Sequence, residues 1–214
     1  MRFTCRAILF DMDGTIVDST AVVERQWRRW AARHELNADA ILAVAHGRRT
    51  IETMREVAPH LRTSDTEAAC FDEEEARDSE GVIAIAGAAP LLSSLSPGSW
   101  AVVTSATLHL AHNRLRIAGL PIPSVLVSAD DVREGKPDPE GYLLAAARLG
   151  VHPTECLVLE DTPAGIAAGL AAEMQVLAIG NTVARESLPV APWLPDLTRL
   201  RVRHDDRLEV LISR

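Results

Sequence analysis

Five short apolar runs, the last four separated by helical stretches, constrain the fold of this chain more than any other feature. Residues 6–11 (RAILFD) carry Ala7, Ile8, Leu9 and Phe10 without a break and end in Asp11. Residues 100–104 (WAVVT) end in hydroxyl residues, and 124–128 (SVLVS) precede Asp130 and Asp131. Residues 156–159 (CLVL) lead into Glu160 and Asp161, and 175–179 (QVLAI) into Gly180 and Asn181. Unbroken runs of this length are the pattern of strands buried on both faces. The intervening segments 108–118, 139–149 and 163–172 are rich in Ala and Leu, are bounded by Gly or Pro, and read as helices. Strand alternating with helix implies right-handed crossovers and an α/β fold whose mostly parallel sheet is covered on both faces. Ligands of such sheets bind outside the carboxyl ends of the strands. Three of those ends carry Asp11, Ser105 and Asp161.

The rhythm breaks after the first run. Residues 16–85 offer no convincing strand but show helical patterning over 21–35, 50–58 and 66–78, with Pro59 and the polar link 62–65 between the pieces. This much helix after the first strand is expected to form a second, mobile domain (16–85) inserted into a core of 1–15 and 86–214. The acid run 73–75 reads as a solvated helix face, and Trp27 and Trp30, three apart, as packing of the insertion. His109 and His112 share a helical face that lacks an acid partner and reads as solvated. The tail after Pro195, with LRVRHDD and RLEVLIS, could pair as a terminal hairpin.

The net charge of −8 argues against general nucleic-acid binding, which needs a basic face. It leaves a small anion open, because one Lys or one helix N-terminus can dominate a site. The three cysteines, Cys5, Cys70 and Cys156, are too few and too scattered for a disulfide framework and fit a reducing compartment. No apolar run reaches membrane-spanning length, so a cytoplasmic address is expected, with no membrane partner, and a monomer.

Four short segments carry the chemistry. In FDMDGT, Asp11 and Asp13 share a face of an extended chain that turns at Gly14. Two confined carboxylates repel unless a cation or a proton intervenes, and a hard cation such as Mg²⁺ suits them. Asp11 could attack phosphorus, with Asp13 as acid and then base; an Asx-turn with no chemistry accounts for the segment equally well. In VVTSAT, the Ser105 hydroxyl and the Ala106 amide suit phosphate oxygens, although an ordinary N-cap at Thr107 would also use this segment. In REGKPDPEGY, Lys136 stands between Gly135 and Pro137 and could hold phosphoryl oxygens, or be merely solvated. In LEDTPAG, Glu160 and Asp161 precede a Thr-Pro helix start, where acids complete a metal shell or complement the helix dipole.

In this order and at these strand ends, FDMDGT, VVTSAT, GKPDPEGY and LEDTPAG resemble the four motifs of the haloacid dehalogenase-like (HAD) phosphatase superfamily. The resemblance covers residues 6–181. It implies a Rossmann-like core with a helical cap between the first and second motifs, Asp11 as nucleophile and Asp13 as general acid/base. It also implies Ser105 and Lys136 as phosphate binders, beside the Ala106 amide read from VVTSAT. Mg²⁺ would be held by Asp11, the Asp13 carbonyl and Asp161, with Glu160 as ligand or support. Dehalogenases of the superfamily lack the second Asp of the first motif, so Asp13 points to phosphate chemistry.

Within the superfamily, AHGRRTIET, WAVVTSAT and GKPDPEGYLLAA are similar to the sugar- and polyol-phosphate phosphatases of the β-phosphoglucomutase-like branch. There a cap loop at this place meets the substrate, which makes Arg49 a candidate substrate contact and His46 a second. Mutases of the branch carry a His twelve residues after the nucleophile; Val23 stands there instead and favours hydrolysis. The expected activity is Mg²⁺-dependent hydrolysis of a small sugar or polyol phosphate. The alternatives are a phosphomutase and a non-catalytic binder of phosphometabolites. Cap closure would hinge at residues 15–17 and 85–87.

Overall fold

A computed structural model describes residues 1–180, 192–204 and 207–212. Its strands are β1 (Arg2–Cys5), β2 (Ala7–Phe10), β3 (Val17–Asp18), β4 (Ile83–Ala84), β5 (Trp100–Val103), β6 (Leu126–Val127), β7 (Cys156–Glu160), β8 (Gln175–Ile179), β9 (Trp193–Leu194), β10 (Leu200–His204) and β11 (Leu208–Ile212). Its α-helices are α1 (Thr20–Arg33), α2 (Ala38–Ala45), α3 (Thr50–Val57), α4 (Asp65–Arg77), α5 (Ala88–Ser94), α6 (Leu108–Ile117), α7 (Glu140–Leu149) and α8 (Pro163–Ala171).

Six strands form one sheet in the order β6-β5-β2-β7-β8-β9, every neighbouring pair parallel. β2 is buried along its whole length, and the two-residue alternation of a strand divides it between the two faces. Ile8 and Phe10 join an apolar cluster with Trp100, Leu115 and Leu159, where Phe10 meets Trp100 edge-on. Ala7 and Leu9 join the opposite cluster with Val103, Tyr142, Val158 and Ile166. From β2 the chain builds β5 and β6 on one side, then crosses back to lay β7 and β8 on the other. The strand order therefore reverses beside β2, the crevice where sheets of this class bind ligands. Asp11 follows the last residue of that strand.

Helices α1–α4 have an apolar cluster of their own around Trp27, Trp30, Ile41, Met54 and Phe71. Trp27 and Trp30 pack edge to face at 5.6 Å, and Trp27 lies 4.6 Å from Phe71 between ring centroids, so both indoles do pack the insertion. The helical patterning over 21–35, 50–58 and 66–78 corresponds to α1, α3 and α4 within two residues at each end. The patterning missed α2, although Asn37 caps it by accepting from the amides of Asp39 and Ala40. It also missed β3 and β4, two-residue strands that pair antiparallel at the two ends of the insertion.

The tail does form a hairpin. β10 and β11 pair antiparallel, and β11 also pairs with β1, a strand that the reading of residues 6–11 did not include. Asn181, expected to follow the fifth run, lies outside the described residues.

Candidate active site

The turn after β2 is built around one carbonyl. The oxygen of Met12 accepts from the amides of Thr15, Ile16 and Val17, and Gly14 takes φ 86°, a conformation that disfavours a side chain. This winding leaves Asp11 pointing across the sheet edge and turns Asp13 toward the insertion.

Asp11 is buried, and its Oδ1 accepts from Lys136 Nζ at 2.5 Å. The same ammonium donates to Glu160 Oε1 at 2.7 Å and to the carbonyl oxygen of Val103 at 3.2 Å. Burial alone would depress the Lys136 ammonium, but Asp11 and Glu160 outweigh it and hold it well above the ordinary lysine range. Burial also pushes the Asp11 carboxyl up to about 7, against the pull of Lys136.

Carboxylate oxygens of Asp11, Glu160 and Asp161 lie within 4.8 Å of one another. Those of Glu160 are already engaged: Oε1 takes Lys136 and the Tyr142 hydroxyl, and Oε2 takes the amides of Asp161 and Thr162 and the Thr162 hydroxyl. A Cβ at Gly165 would land on this carboxylate, so the glycine of LEDTPAG makes room for it. Glu160 thus acts as a buttress, seating Lys136 and the start of α8. Asp161 is buried, with Oδ1 accepting from Thr15 Oγ1 at 3.1 Å. Asp11 Oδ2 is buried with no hydrogen-bond partner among the described residues.

Three clustered acids against one ammonium leave an excess of negative charge that a cation would relieve. The donor set is all oxygen, and the unpartnered Asp11 Oδ2 is an atom that such an ion would satisfy. The residues therefore fit a hard divalent cation, with Asp11 and Asp161 as its carboxylates.

Asp13 is held at both oxygens. Ser19 Oγ donates to Oδ1 at 2.7 Å, and Arg114 Nη1 to Oδ2 at 2.8 Å. Arg114 Nη2 reaches Glu75 of α4 at 2.7 Å. The acid run 73–75 is thus no uniformly solvated face: Glu75 is 5% exposed and ion-paired, and burial, opposed by Arg114, pushes its carboxyl up to about 7.

The residues expected to seat phosphate meet the insertion directly. Ser105 donates to the carbonyl oxygen of Gly47 at 2.9 Å. The Ala106 amide donates to Thr104 Oγ1 at 3.1 Å, and Thr107 also caps α6 by accepting from Leu110. Asp11, Asp13, Ser105 and Ala106 line one cavity between core and insertion, together with Trp27 and His46. Burial holds the His46 imidazole below its ordinary value, against the pull of Glu24 and Asp13.

Arg49 is not brought to this cavity. It donates to the carbonyl oxygen of Arg133 at 2.8 Å and pairs with Glu52, which in turn accepts from the Gly135 amide. The two residues clamp the loop that carries Lys136. The adjacent Arg48 lines the cavity instead and pairs with Glu56.

Residues 5–173 match the family model of the haloacid dehalogenase-like hydrolases. The chain belongs to that family. Among its relatives, hexitol phosphatase A of Escherichia coli is 45% identical over 179 residues, which span 82% of this chain and 83% of that protein. Glycerol-1-phosphate phosphohydrolase 2 of Saccharomyces cerevisiae is 34% identical over 187 residues, 82% of this chain and 75% of that protein. The solved structure of a hydrolase from Pseudomonas syringae superposes with a TM-score of 0.80 at 24% identity, over 90% of this chain and 94% of that one, and shares the fold. Among the described residues, no helix is long and apolar enough to cross a membrane.

Arg114 and Ser19 are site residues that lie outside the four motifs, and Thr15 and Tyr142 stand inside FDMDGT and GKPDPEGY without having been given a role. One signal was present for Arg114. It falls on the face of α6 that also buries Leu110, Ala111 and Leu115, and a charge in such a row requires a buried partner.

Proposed function

We propose that the chain is a Mg²⁺-dependent phosphatase that hydrolyses a small polyol or sugar phosphate through an aspartyl-phosphate on Asp11. The observation that carries this reading is the placement of Asp11 at the end of the central strand, in contact with Lys136 and beside Asp161. The names of the E. coli and yeast relatives support a polyol phosphate as substrate.

Asp11 attacks phosphorus and forms the acyl phosphate as the bond to the leaving oxygen breaks. Asp13 gives that oxygen its proton, then removes one from the water that hydrolyses the intermediate. Lys136 and Ser105, with the Ala106 amide, hold the phosphoryl oxygens. A bound Mg²⁺, held by Asp11, Asp161 and the Asp13 carbonyl, would supply positive charge to offset that of the phosphoryl group. The insertion, residues 16–85, serves as a cap that excludes bulk water while Asp11 attacks. The small-molecule partner and the oligomeric state, a monomer, belong to this reading, as does a cytoplasmic address.

A phosphomutase is the second reading. Val23, which lines the cavity, offers no proton to transfer at the place where the mutases of the branch have a histidine, and this favours hydrolysis. The test is a panel of phosphorylated polyols and sugars assayed for phosphate release with and without Mg²⁺, alongside Asp11→Asn. Mg²⁺-dependent release that Asp11→Asn abolishes is expected. Tight binding of one ester without turnover would make the chain a binder, and an isomeric phosphate product would make it a mutase.

A further inference from the structure

Arg114 contacts two carboxylates that belong to different parts of the molecule. Its Nη1 meets Asp13 on the turn after β2, and its Nη2 meets Glu75 on α4 of the insertion. Arg114 is 4% exposed, and its Nε has no partner among the described residues, so the orientation of the guanidinium depends on those two contacts. Beside it, the Asn113 side chain donates to the carbonyl oxygen of Ala76. Consecutive residues of a core helix therefore dock on consecutive residues of an insertion helix.

We propose that Arg114 is a positioning residue that aims Asp13 at the leaving oxygen of the substrate, and that Glu75 sets that aim only when the insertion is docked. The inference rests on the phosphatase reading given above. The planar fork of a guanidinium transmits orientation between its two ends, which a lysine ammonium would not. With Glu75 in place, one end of the fork is committed and the other meets Asp13 at a single oxygen, leaving Ser19 to set the second. With α4 withdrawn, the fork loses that constraint and Asp13 loses its direction. Arg114 touches neither substrate nor metal in this scheme. It acts on the reaction through Asp13 alone.

A misdirected proton donor matters only where the leaving group needs the proton. An alkoxide from a polyol phosphate does; the weakly basic nitrophenolate of p-nitrophenyl phosphate hardly does. The experiment compares single-turnover release of glycerol from glycerol 1-phosphate with release of nitrophenol from p-nitrophenyl phosphate, in the full chain with Mg²⁺. For Arg114→Met, glycerol release is expected to fall by about 100-fold, the scale of general acid catalysis, and nitrophenol release by less than about tenfold. Glu75→Gln, which retains a hydrogen-bonding amide in the docked contact, is expected to show the same selectivity at smaller size, and the double variant to lose no more than Arg114→Met.

Nitrophenol release also reports that each variant is folded. Equal losses with both esters in both variants would overturn the proposal and leave Arg114 a structural ion pair. A raised KM confined to glycerol 1-phosphate, with its single-turnover rate intact, would overturn it by making Arg114 a substrate ligand. The phosphatase reading stands or falls on the unaltered chain, whereas this inference is read from the ratio between the two esters.

Discussion

Ser105 Oγ donates to the carbonyl oxygen of Gly47 at 2.9 Å, so the hydroxyl expected to hold phosphate is covered by the insertion's own backbone. Gly47 reaches this place at φ +76°, and a Cβ there would collide with the Thr162 side chain. Gly47→Ala is therefore expected to destabilise the folded chain by about 1–3 kcal/mol, the usual range for forcing a side chain into such a conformation. It should also lower kcat/KM by keeping the insertion from seating over Ser105. Denaturant unfolding and steady-state kinetics check both effects; unchanged stability together with unchanged kinetics would sink the docking role given to Gly47.

Glu160 collects donors from Lys136, Tyr142, Asp161 and Thr162. In Glu160→Gln the amide nitrogen must face donors, and Lys136 loses a buried counter-charge. Removing one partner of a buried pair costs about 3–5 kcal/mol. Because this residue orients Asp161 from behind, Mg²⁺ affinity should fall by about 10- to 100-fold. Calorimetric titration with Mg²⁺ measures the second effect, and affinity unchanged in Glu160→Gln would contradict the buttress role.

Burial pushes the Asp11 carboxyl from 3.8 up to about 7, and Glu75 likewise to about 7. A raised folded-state pKa means that the folded chain retains protons already lost by the unfolded chain. Without metal, stability should therefore be greatest at low pH within this window and decline as pH rises from about 4 through about 7. Cation binding requires the ionised carboxylate. Excess Mg²⁺ should accordingly raise the melting temperature more at about pH 8 than at about pH 5, measured against chelator at each pH. An equal or larger shift at the lower pH would show that Asp11 is not the group that the cation engages.

Arg49 and Glu52 clamp the backbone of Arg133 and Gly135, three residues and one residue before Lys136. Arg49→Ala and Glu52→Gln should each weaken phosphate binding, and the double variant should cost less than the sum of the two, because both act on one loop. The change should be similar for every phosphate ester tested. A KM effect that varies with the polyol would return Arg49 to the substrate-contact role expected from its place in AHGRRTIET.

Asp11, Glu160 and Asp161 were legible because each ends or follows an apolar run, and the parallel sheet converts that linear fact into proximity, whereas Lys136 was legible only through its place between Gly135 and Pro137 in GKPDPEGY. Arg49 and Arg48 were not separable. They are adjacent, and which guanidinium enters the cavity depends on how the loop at Gly47 turns against Thr162. Glu75 and Arg114 lie far apart in the chain, and their pairing depends on where α4 crosses α6. Helical periodicity gives the face of each helix but not that crossing. β1 was missed because RFTC, although it alternates polar and apolar, is only four residues long, and its partner β11 sits at the far end of the described chain.

The three acceptors around Lys136 bear on how a ligand is received. An ammonium has three hydrogens, and here Asp11, Glu160 and the carbonyl of Val103 take one each. A phosphoryl oxygen cannot simply be added to this set; it must replace a member. In the proposed mechanism Asp11 is the member that has somewhere else to go, since there it acts at phosphorus. Under the proposed mechanism, arrival of the ligand would be an exchange in which the lysine trades Asp11 for the group under attack. Phosphate affinity measured on this chain would report the difference between two contacts rather than the strength of one.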